Sequence, residues 1–359
     1  MTAFKVFNSV YIKKKPLSLV HFLTNRCNAR CSFCFIDFDN PLTFKNELSL
    51  EEIEKITLKL PKSLININFT GGEPFAHKHI NKVAEMYFKN TNINSIFITS
   101  NGSLPDRMIS FCKEITNKFP NKKIFFSLSI DSFEEEHNKI RKVKNIFKNC
   151  INVFHELKKI SKLIQTNIAI TVSHENYNKV DDLYDFLKEK HKVNAFSAIL
   201  AREEGVYKIP NDAKKQIQKA YYNLTKKINN DLKKNNDLYG YKNSLQAKVM
   251  NQKNKIVYEQ IYNTSIKNEF ISNCYAGSLF GVIQANGDVS PCEILDENFG
   301  NLREYEYDFM KLWQKKSRNE FCKKIKDNKC FCTYECAWTF NVLGNKKYHF
   351  DLLKGITKR

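Results

Sequence analysis

Residues 27–34 read CNARCSFC and bring Cys27, Cys31 and Cys34 together directly after the apolar run Leu17–Leu23. Three thiolates this close in sequence can share one metal centre, but a closed zinc site or a simple electron-transfer cluster normally takes four protein ligands. The C-x₃-C-x₂-C spacing also differs from the ferredoxin spacings. The segment therefore predicts a metal centre that leaves one coordination position for another ligand, with a small zinc knuckle or a coincidental cluster as the alternative.

Short β-rich runs alternate with amphipathic helical segments between residues 17 and 200. Near-continuous apolar runs are typical of parallel strands buried on both faces. They predict six strands: Leu17–Leu23, Leu64–Thr70, Ser95–Ser100, Ile124–Ile130, Gln165–Val172 and Val193–Leu200. Ser49 and Glu52 predict a capping box at the start of the first connecting helix. The alternation indicates an α/β fold with a parallel, partial (β/α)6 barrel, whose C-terminal edge would carry the cysteine loop.

The composition is that of an ordinary globular chain of 359 residues, 42% of them hydrophobic and 27% charged. No apolar run reaches 18 residues, so we expect no membrane span, and the N-terminal residues contain no secretory signal. We therefore expect a cytoplasmic protein. The formal net charge of +20 is spread over lysine-rich helical segments, and we interpret it as solvated helix faces rather than a nucleic-acid surface.

Three further motifs follow predicted strands two, three and four: Thr70-Gly71-Gly72-Glu73-Pro74, Thr99-Ser100-Asn101-Gly102, and Ser129-Ile130-Asp131-Ser132 with His137–Arg141. Together with the cysteine triplet they resemble the radical S-adenosylmethionine (radical SAM) enzymes. In that family three cysteines hold a 4Fe–4S cluster whose open iron binds SAM. The reduced cluster cleaves SAM to a 5′-deoxyadenosyl radical.

The resemblance implies a role for single residues in binding SAM. Cys27, Cys31 and Cys34 would hold the cluster, with Phe33 against the adenine. The remaining contacts would come from Gly71, Gly72 and Glu73 to the amino group, from Ser100 and Asn101 to the ribose, and from Ser129 and Arg141 to the ribose and the carboxylate. The planar guanidinium group suits a carboxylate because it can donate two parallel hydrogen bonds. Ser132 stands where the family pattern has glycine.

A second cysteine group comprises Cys274, Cys292, Cys322, Cys330, Cys332 and Cys336. The C-x₁₂-G-x₄-C opening, from Cys274 to Cys292, resembles the SPASM and twitch extensions of radical SAM enzymes, which carry auxiliary 4Fe–4S clusters. Asn286-Gly287 predicts a hairpin turn between these two cysteines. Six thiolates cannot fill two four-ligand clusters, so one complete cluster and two incompletely ligated clusters both stay open. A structural zinc site is the other alternative.

Two cysteines lie outside both groups, and one acidic residue lies directly beside the second group. Cys112 and Cys150 stand alone in helical segments, and we interpret both as small buried hydrophobic residues. Glu293 follows Cys292 directly. An acid beside a cluster could take the proton released when a substrate radical is oxidised, as an aspartate does in sulfatase-maturing members of the family. A surface glutamate is the alternative.

We therefore expect a barrel at residues 1–205, a helical bridge at 206–270 and a SPASM/twitch-like domain at 271–359. The resemblance implies a radical SAM enzyme that uses SAM, a SAM-binding 4Fe–4S cluster, at least one auxiliary 4Fe–4S cluster and a reducing partner such as flavodoxin or ferredoxin. A peptide or protein side chain is the first hypothesis for the substrate, and a small metabolite such as a sugar or an aminocyclitol is the second. A zinc-binding, RNA-interacting protein is the alternative outside the enzymes.

Overall fold

The computed structural model describes residues 8, 11, 15–203, 206–234 and 245–357. Its strands are β1 (Ser18–Thr24), β2 (Asn66–Gly71), β3 (Ser95–Ser100), β4 (Lys123–Ser129), β5 (Ile164–Val172), β6 (Phe196–Leu200), β7 (Phe280–Ile283) and β8 (Val289–Ser290). They form one sheet in the order β6-β5-β4-β3-β2-β1-β7-β8. β1 to β6 pair in parallel, which confirms the predicted α/β fold of radical SAM type.

The α-helices of the described residues follow the strands. They are α1 (Leu50–Leu58), α2 (Ile80–Asn90), α3 (Pro105–Lys118), α4 (Glu134–Arg141), α5 (Ile146–Ile160), α6 (Val180–Glu189), α7 (Lys214–Lys234), α8 (Leu245–Lys267), α9 (Phe309–Trp313), α10 (Lys316–Asp327), α11 (Glu335–Gly344) and α12 (His349–Thr357). None of them combines the length and the apolar character that a membrane-spanning helix needs.

The predicted capping box at α1 is confirmed. The Ser49 hydroxyl accepts from the Glu52 N–H at 3.3 Å, and the Glu52 carboxylate accepts from the Ser49 N–H at 2.8 Å. Two of the N–H groups that a helix start leaves without an intrahelical partner are thereby satisfied. Ile53 and Ile56 of the same helix are fully buried. The helix is thus fixed at its start and packed along its length.

The prediction that the strands are buried on both faces holds for β1 but is wrong for most of the others. Every residue of β1 is buried, whereas burial alternates along β2, β3, β4 and β6. In β3, Ile96 and Ile98 are fully buried while Phe97 between them is 36% exposed. Successive side chains of a strand point to opposite faces. One face packs in the core, and the other lines the interior of the barrel.

The C-terminal segment extends the same sheet. β7 pairs in parallel with β1, and β8 returns antiparallel to β7. The turn between them contains Gly287 at φ +89°, a conformation that glycine adopts readily. The predicted hairpin is therefore confirmed. Cys112 and Cys150 are completely buried, as expected. The boundaries near residues 205 and 270 stay predictions.

Candidate functional site

The cysteine triplet lies in the loop that leaves the C-terminal end of β1. The backbone of this loop is seated on Gly71 and Gly72: the Gly72 N–H donates to Thr24 O at 2.8 Å, and the Glu73 N–H donates to Arg26 O at 2.9 Å. A Cβ at Gly71 would lie 2.1 Å from Thr24 O, and one at Gly72 would lie 2.2 Å from Arg26 O. Both glycines are therefore required for the close approach of two backbone segments, a role that the resemblance did not indicate.

Glu73 connects the ends of β2 and β3 beneath the cysteine loop. Its carboxylate accepts from the Phe75 N–H at 3.0 Å, the Ser100 hydroxyl at 2.9 Å and the Asn101 N–H at 2.8 Å. Burial raises the pKa of Glu73, and these hydrogen bonds act in the opposite direction. The Asn101 amide in turn lies 3.8 Å from the Cys27 sulfur. The motifs after β2 and β3 thus form one network with the first cysteine.

Arg141 lies on the other side of the triplet and is bound to Asp131. Its Nε and Nη2 donate to one Asp131 carboxylate oxygen at 2.8 and 2.6 Å, and both side chains are buried. The Arg141 carbonyl accepts from the Arg30 N–H at 3.0 Å, and the guanidinium lies 5.9 Å from the Phe33 ring centre. Arg141 therefore contacts the cysteine loop through its backbone and its side chain. The Asp131 contact uses two of its donors, and its role toward SAM stays a prediction.

Other predicted SAM-binding residues lie at the same edge of the sheet. Ser100 is 2% exposed and Asn101 is 6% exposed, so both face inward. Ser129 ends β4, and its carbonyl accepts a weak hydrogen bond from the Cys150 thiol at 3.7 Å. The structure thus brings the four predicted motifs together at one edge, as the barrel prediction required. Which of them contacts SAM stays a prediction.

Burial disfavours ionisation of the three thiols of the triplet. Burial raises the pKa of Cys27 to about 11 and also raises the pKa of Cys31 and Cys34. Thiols bind metals as thiolates, so a bound cation would have to shift these groups to the ionised form. In the described part of the chain, no group of three or more His, Cys, Asp or Glu side chains has the geometry to hold a single metal ion. The fit of the triplet to a cluster rests on its donor atoms and its position.

The six cysteines of the second group separate into two sets. Burial raises the pKa of Cys274 well above its usual value, and the thiols of Cys332, Cys330 and Cys292 raise it further because they lie nearby. Cys330 acts on Cys292 in the same way. Cys292, Cys330 and Cys332 therefore lie within electrostatic range of Cys274.

The other two cysteines have different surroundings. The Cys322 thiol donates to Gly277 O at 3.5 Å and to Ala276 O at 3.8 Å. Cys336 lies among acidic groups, since burial raises its pKa to about 12 and the carboxylates of Glu293 and Glu335 raise it as well.

Glu293 lines a cavity of about 400 Å³ together with Phe35, Arg202, Ser290 and Cys292. Its side chain is only 10% exposed, and whether it acts as a base stays a prediction. The Tyr334 hydroxyl donates to one carboxylate oxygen of Glu293, and Arg202 lies 3.5 Å from the other. Phe35 directly follows Cys34, and Glu293 directly follows Cys292. The cavity is therefore bordered by both cysteine groups.

No role for Asp131, Arg202 or Tyr334 was predicted from the sequence. Asp131 and Arg202 follow β4 and β6 closely, at the edge where α/β barrels carry their functional groups, and this position was the available signal. Tyr334 lies between Cys332 and Cys336 in sequence. Its contact with Glu293 spans 41 residues, and no local pattern predicts it.

Comparison with known proteins identifies both halves of this arrangement. The profile of the Radical SAM superfamily matches residues 22–187, and that of SPASM, an iron–sulfur cluster-binding domain, matches residues 274–337. The sporulation killing factor maturation protein SkfB of Bacillus subtilis (strain 168) is 25% identical over 80% of this chain, which spans only 63% of SkfB. The antilisterial bacteriocin subtilosin biosynthesis protein AlbA of the same organism is 23% identical over 93% of this chain and 69% of AlbA. A GTP 3′,8-cyclase of Clostridium botulinum is 25% identical over 79% of this chain and 82% of its own.

Solved structures share the fold. The structure of anSMEcpe with bound AdoMet aligns with a TM-score of 0.63 and 20% identity, over 95% of this chain and 98% of that one. Streptococcus suis SuiB bound to S-adenosylmethionine aligns with a TM-score of 0.59 and 18% identity, over 84% and 66%. The matches favour the enzyme over the zinc-binding, RNA-interacting alternative. The chain therefore carries a radical SAM domain at residues 22–187 and a SPASM domain at residues 274–337, which imply a SAM-binding 4Fe–4S cluster and auxiliary iron–sulfur clusters.

Proposed function

We propose that this radical SAM enzyme abstracts a hydrogen atom from a peptide or protein side chain and thereby modifies it. The relatives SkfB and AlbA are named for maturation of a killing factor and biosynthesis of a bacteriocin. A structure of SuiB contains the precursor peptide SuiA. The chain spans 63% of SkfB, so the activity of the whole protein is part of the proposal.

In this proposal Cys27, Cys31 and Cys34 hold the SAM-binding cluster. When bound, the cluster and SAM supply the radical that removes a hydrogen atom. Gly71 and Gly72 keep the cysteine loop close to the sheet, and Asn101 orients its first cysteine. We also propose that Arg141 binds the SAM carboxylate with a donor that Asp131 does not use.

For the SPASM domain we propose that Cys274, Cys292, Cys330 and Cys332 form the complete ligand set of one auxiliary 4Fe–4S cluster. Four thiolates are the usual number for such a cluster. The electrostatic effect of Cys292, Cys330 and Cys332 on Cys274 supports the assignment, because it places all three within electrostatic range of that thiol. Cys322 and Cys336 lie outside this set.

The observation that supports the function most directly is the cavity between the two cysteine groups. A substrate carbon held there lies beside Phe35 of the first group and Glu293 of the second. We propose that Glu293 would accept the proton when the substrate radical is oxidised, with the electron passing to the auxiliary cluster of the SPASM domain. The contacts with Arg202 and Tyr334 hold the Glu293 carboxylate in one direction.

The test uses deuterium transfer. The holoenzyme is incubated anaerobically with SAM, a reductant and a perdeuterated peptide encoded by a neighbouring precursor gene, and the 5′-deoxyadenosine is analysed by mass spectrometry. The proposal expects deuterium in the 5′-deoxyadenosine and a mass change in the peptide. Transfer only from a deuterated sugar or aminocyclitol would replace the peptide by the small-metabolite alternative, which the match to a GTP 3′,8-cyclase keeps open.

The role of Glu293 has its own variant. Glu293→Gln should keep the deuterium transfer but lower product formation by roughly 100-fold, the lower range for a general base. Asp296→Asn is the control, because Asp296 is another acid that lines the same cavity. A Glu293→Gln enzyme that forms product at the wild-type rate would exclude the base assignment.

The proposed compartment is the cytoplasm. None of the eleven cysteines forms a disulfide bond, which is usual in a reducing compartment. We also propose a reducing partner such as flavodoxin or ferredoxin, because the SAM-binding cluster must be reduced before it can act.

A further inference from the structure

A second cavity, of about 230 Å³, lies in the interior of the barrel and is not used by the function proposed above. The inner faces of β2 to β5 form its wall, and Met250, Lys253 and Asn254 of α8 cover it. The wall carries amide side chains from Asn68, Gln165 and Asn167. This combination of amides and one lysine is polar enough to recognise a ligand.

The lysine in this cavity is the unusual element. Lys253 is 7% exposed, and its ammonium group donates to the Thr339 hydroxyl at 3.4 Å. Within the described ranges, no carboxylate lies within 4.0 Å of this ammonium group. Burial lowers the pKa of Lys253 to about 8, because a charged ammonium group is poorly solvated in the interior. A buried ammonium without an anion is costly, so the site favours an anionic ligand.

An apolar surface lies in the same cavity. The rings of Phe97 and Phe125 are stacked with centres 4.4 Å apart and an interplanar angle of 9°. Phe97 is 36% exposed, although it belongs to an inner strand of the sheet. An exposed aromatic ring inside a cavity gains hydrophobic free energy when a ligand covers it.

We propose that this cavity binds a carboxylate carried by an apolar or aromatic group of the substrate, with the carboxylate on Lys253 and the apolar group on Phe97 and Phe125. Phe97 lies four residues before Asn101 along β3, which places the cavity roughly 13 Å below the cysteine loop at about 3.3 Å per residue. A substrate anchored there reaches upward to the cluster edge. The inference rests on the proposed function for the identity of the substrate, which is either a peptide end or a free acid.

The test measures binding by titration calorimetry on the anaerobic holoenzyme without SAM or reductant. The probes are 3-phenylpropionate and its uncharged analogue 3-phenylpropionamide. A hydrogen bond to a charged group contributes about 1.5–3 kcal/mol, so the acid should bind roughly 10- to 150-fold more tightly than the amide. Equal affinity of acid and amide, or no binding of the acid at millimolar concentration, would overturn the proposal.

Variants assign the effect to Lys253. Lys253→Met should reduce the affinity for the acid to that for the amide, whereas Lys253→Arg should retain the preference for the acid. Lys255→Met is the matched control on the same helix, and Phe97→Ala should weaken both probes alike. Wild-type affinity for the acid in Lys253→Met contradicts the proposal. If Lys253→Met does not fold, the acid–amide comparison in the wild type and Lys253→Arg decides.

A second pair of probes distinguishes the sources of the carboxylate. Ala-Ala-Ala-Phe with a free C terminus is compared with its C-terminal amide. Lys253-dependent binding of the peptide acid supports the cavity and a peptide end, and Lys253-dependent binding of 3-phenylpropionate alone supports the cavity and a free acid. Because no turnover is involved, loss of hydrogen abstraction from peptides leaves the cavity assignment intact, and failure of binding leaves the proposed function intact.

Discussion

Arg141 and Asp131 form a buried ion pair that acts electrostatically on the Cys31 thiol of the triplet. Asp131 is completely buried, and its second carboxylate oxygen accepts from the Thr171 N–H at 3.0 Å. The pair therefore connects the end of β4 with β5 and, through the Arg141 carbonyl, with the cysteine loop. Asp131 and Arg141 are only ten residues apart in the sequence. The family resemblance nevertheless implied a contact of Arg141 with SAM and not with Asp131.

Arg141→Ala should destabilise the fold by roughly 3–5 kcal/mol, because it leaves the Asp131 carboxylate buried without its partner. Urea unfolding of the single variants and of Arg141→Ala/Asp131→Asn measures this coupling. The double variant should be more stable than Arg141→Ala. Additive losses of stability in the double variant would contradict the ion pair.

In calorimetry, Arg141→Ala should also weaken SAM binding by about 1.5–3 kcal/mol. Unchanged SAM affinity would contradict the contact of Arg141 with SAM.

At the scale of elements, the sequence was sufficient for the order of strands and helices but not for the faces of the strands. The capping box, the strand order and the hairpin at Gly287 depend on neighbouring residues, and all were predictable. The exposure of Phe97 on the inner face of β3 was not predictable, because phenylalanine is typical of a buried core position. Phe97 is exposed because it faces the interior of the barrel, and this space exists only when the strands have assembled.

The same distinction holds for the site. The motifs at the ends of β1 to β4 were predictable because parallel strands bring their C-terminal ends to one edge. The contact of Arg202 with Glu293 was not, since it joins β6 to the SPASM domain across a long sequence separation. The division of the six C-terminal cysteines likewise depends on how the hairpin packs against the loop before α11.

The auxiliary cluster provides the test at this scale. In a Cys27→Ala/Cys31→Ala/Cys34→Ala background, the chain should retain about four irons, the number in one 4Fe–4S cluster. Adding Cys274→Ala and Cys292→Ala should remove them, whereas adding Cys322→Ala should not. Iron and sulfide analysis after anaerobic reconstitution gives the numbers. About eight irons in the background variant would indicate two clusters, and one tightly held zinc would indicate a structural site instead.

At the scale of the whole molecule, buried histidines link stability to pH in a chain of net charge +20. His21 in the central strand β1 is completely buried, and its Nδ1 lies 2.8 Å from the Tyr87 hydroxyl. Burial lowers the pKa of His21 to about 3, and it does the same for His137. Below the usual pKa of 6.5 the unfolded chain takes up a proton that the folded chain does not. The stability that each neutral histidine contributes is therefore lost as the pH falls from about 6.5 toward 3.

By pH 5 each of these histidines should have cost about 2 kcal/mol of folding free energy. His21→Gln removes one titrating group, so its loss of stability between pH 7.5 and pH 5 should be about 2 kcal/mol smaller than in the wild type. Urea unfolding at several pH values measures both slopes. Parallel curves for the variant and the wild type would show that His21 is not held neutral in the folded protein.

We propose that the loop after β1 holds a SAM-cleaving cluster. This is tested by the amount of 5′-deoxyadenosine formed from SAM under anaerobic reducing conditions, for the wild type and for Cys27→Ala/Cys31→Ala/Cys34→Ala. We expect the wild type to form 5′-deoxyadenosine and the triple variant to form none, while the iron of the SPASM domain remains. Formation of 5′-deoxyadenosine by the triple variant would show that the cluster does not depend on these cysteines.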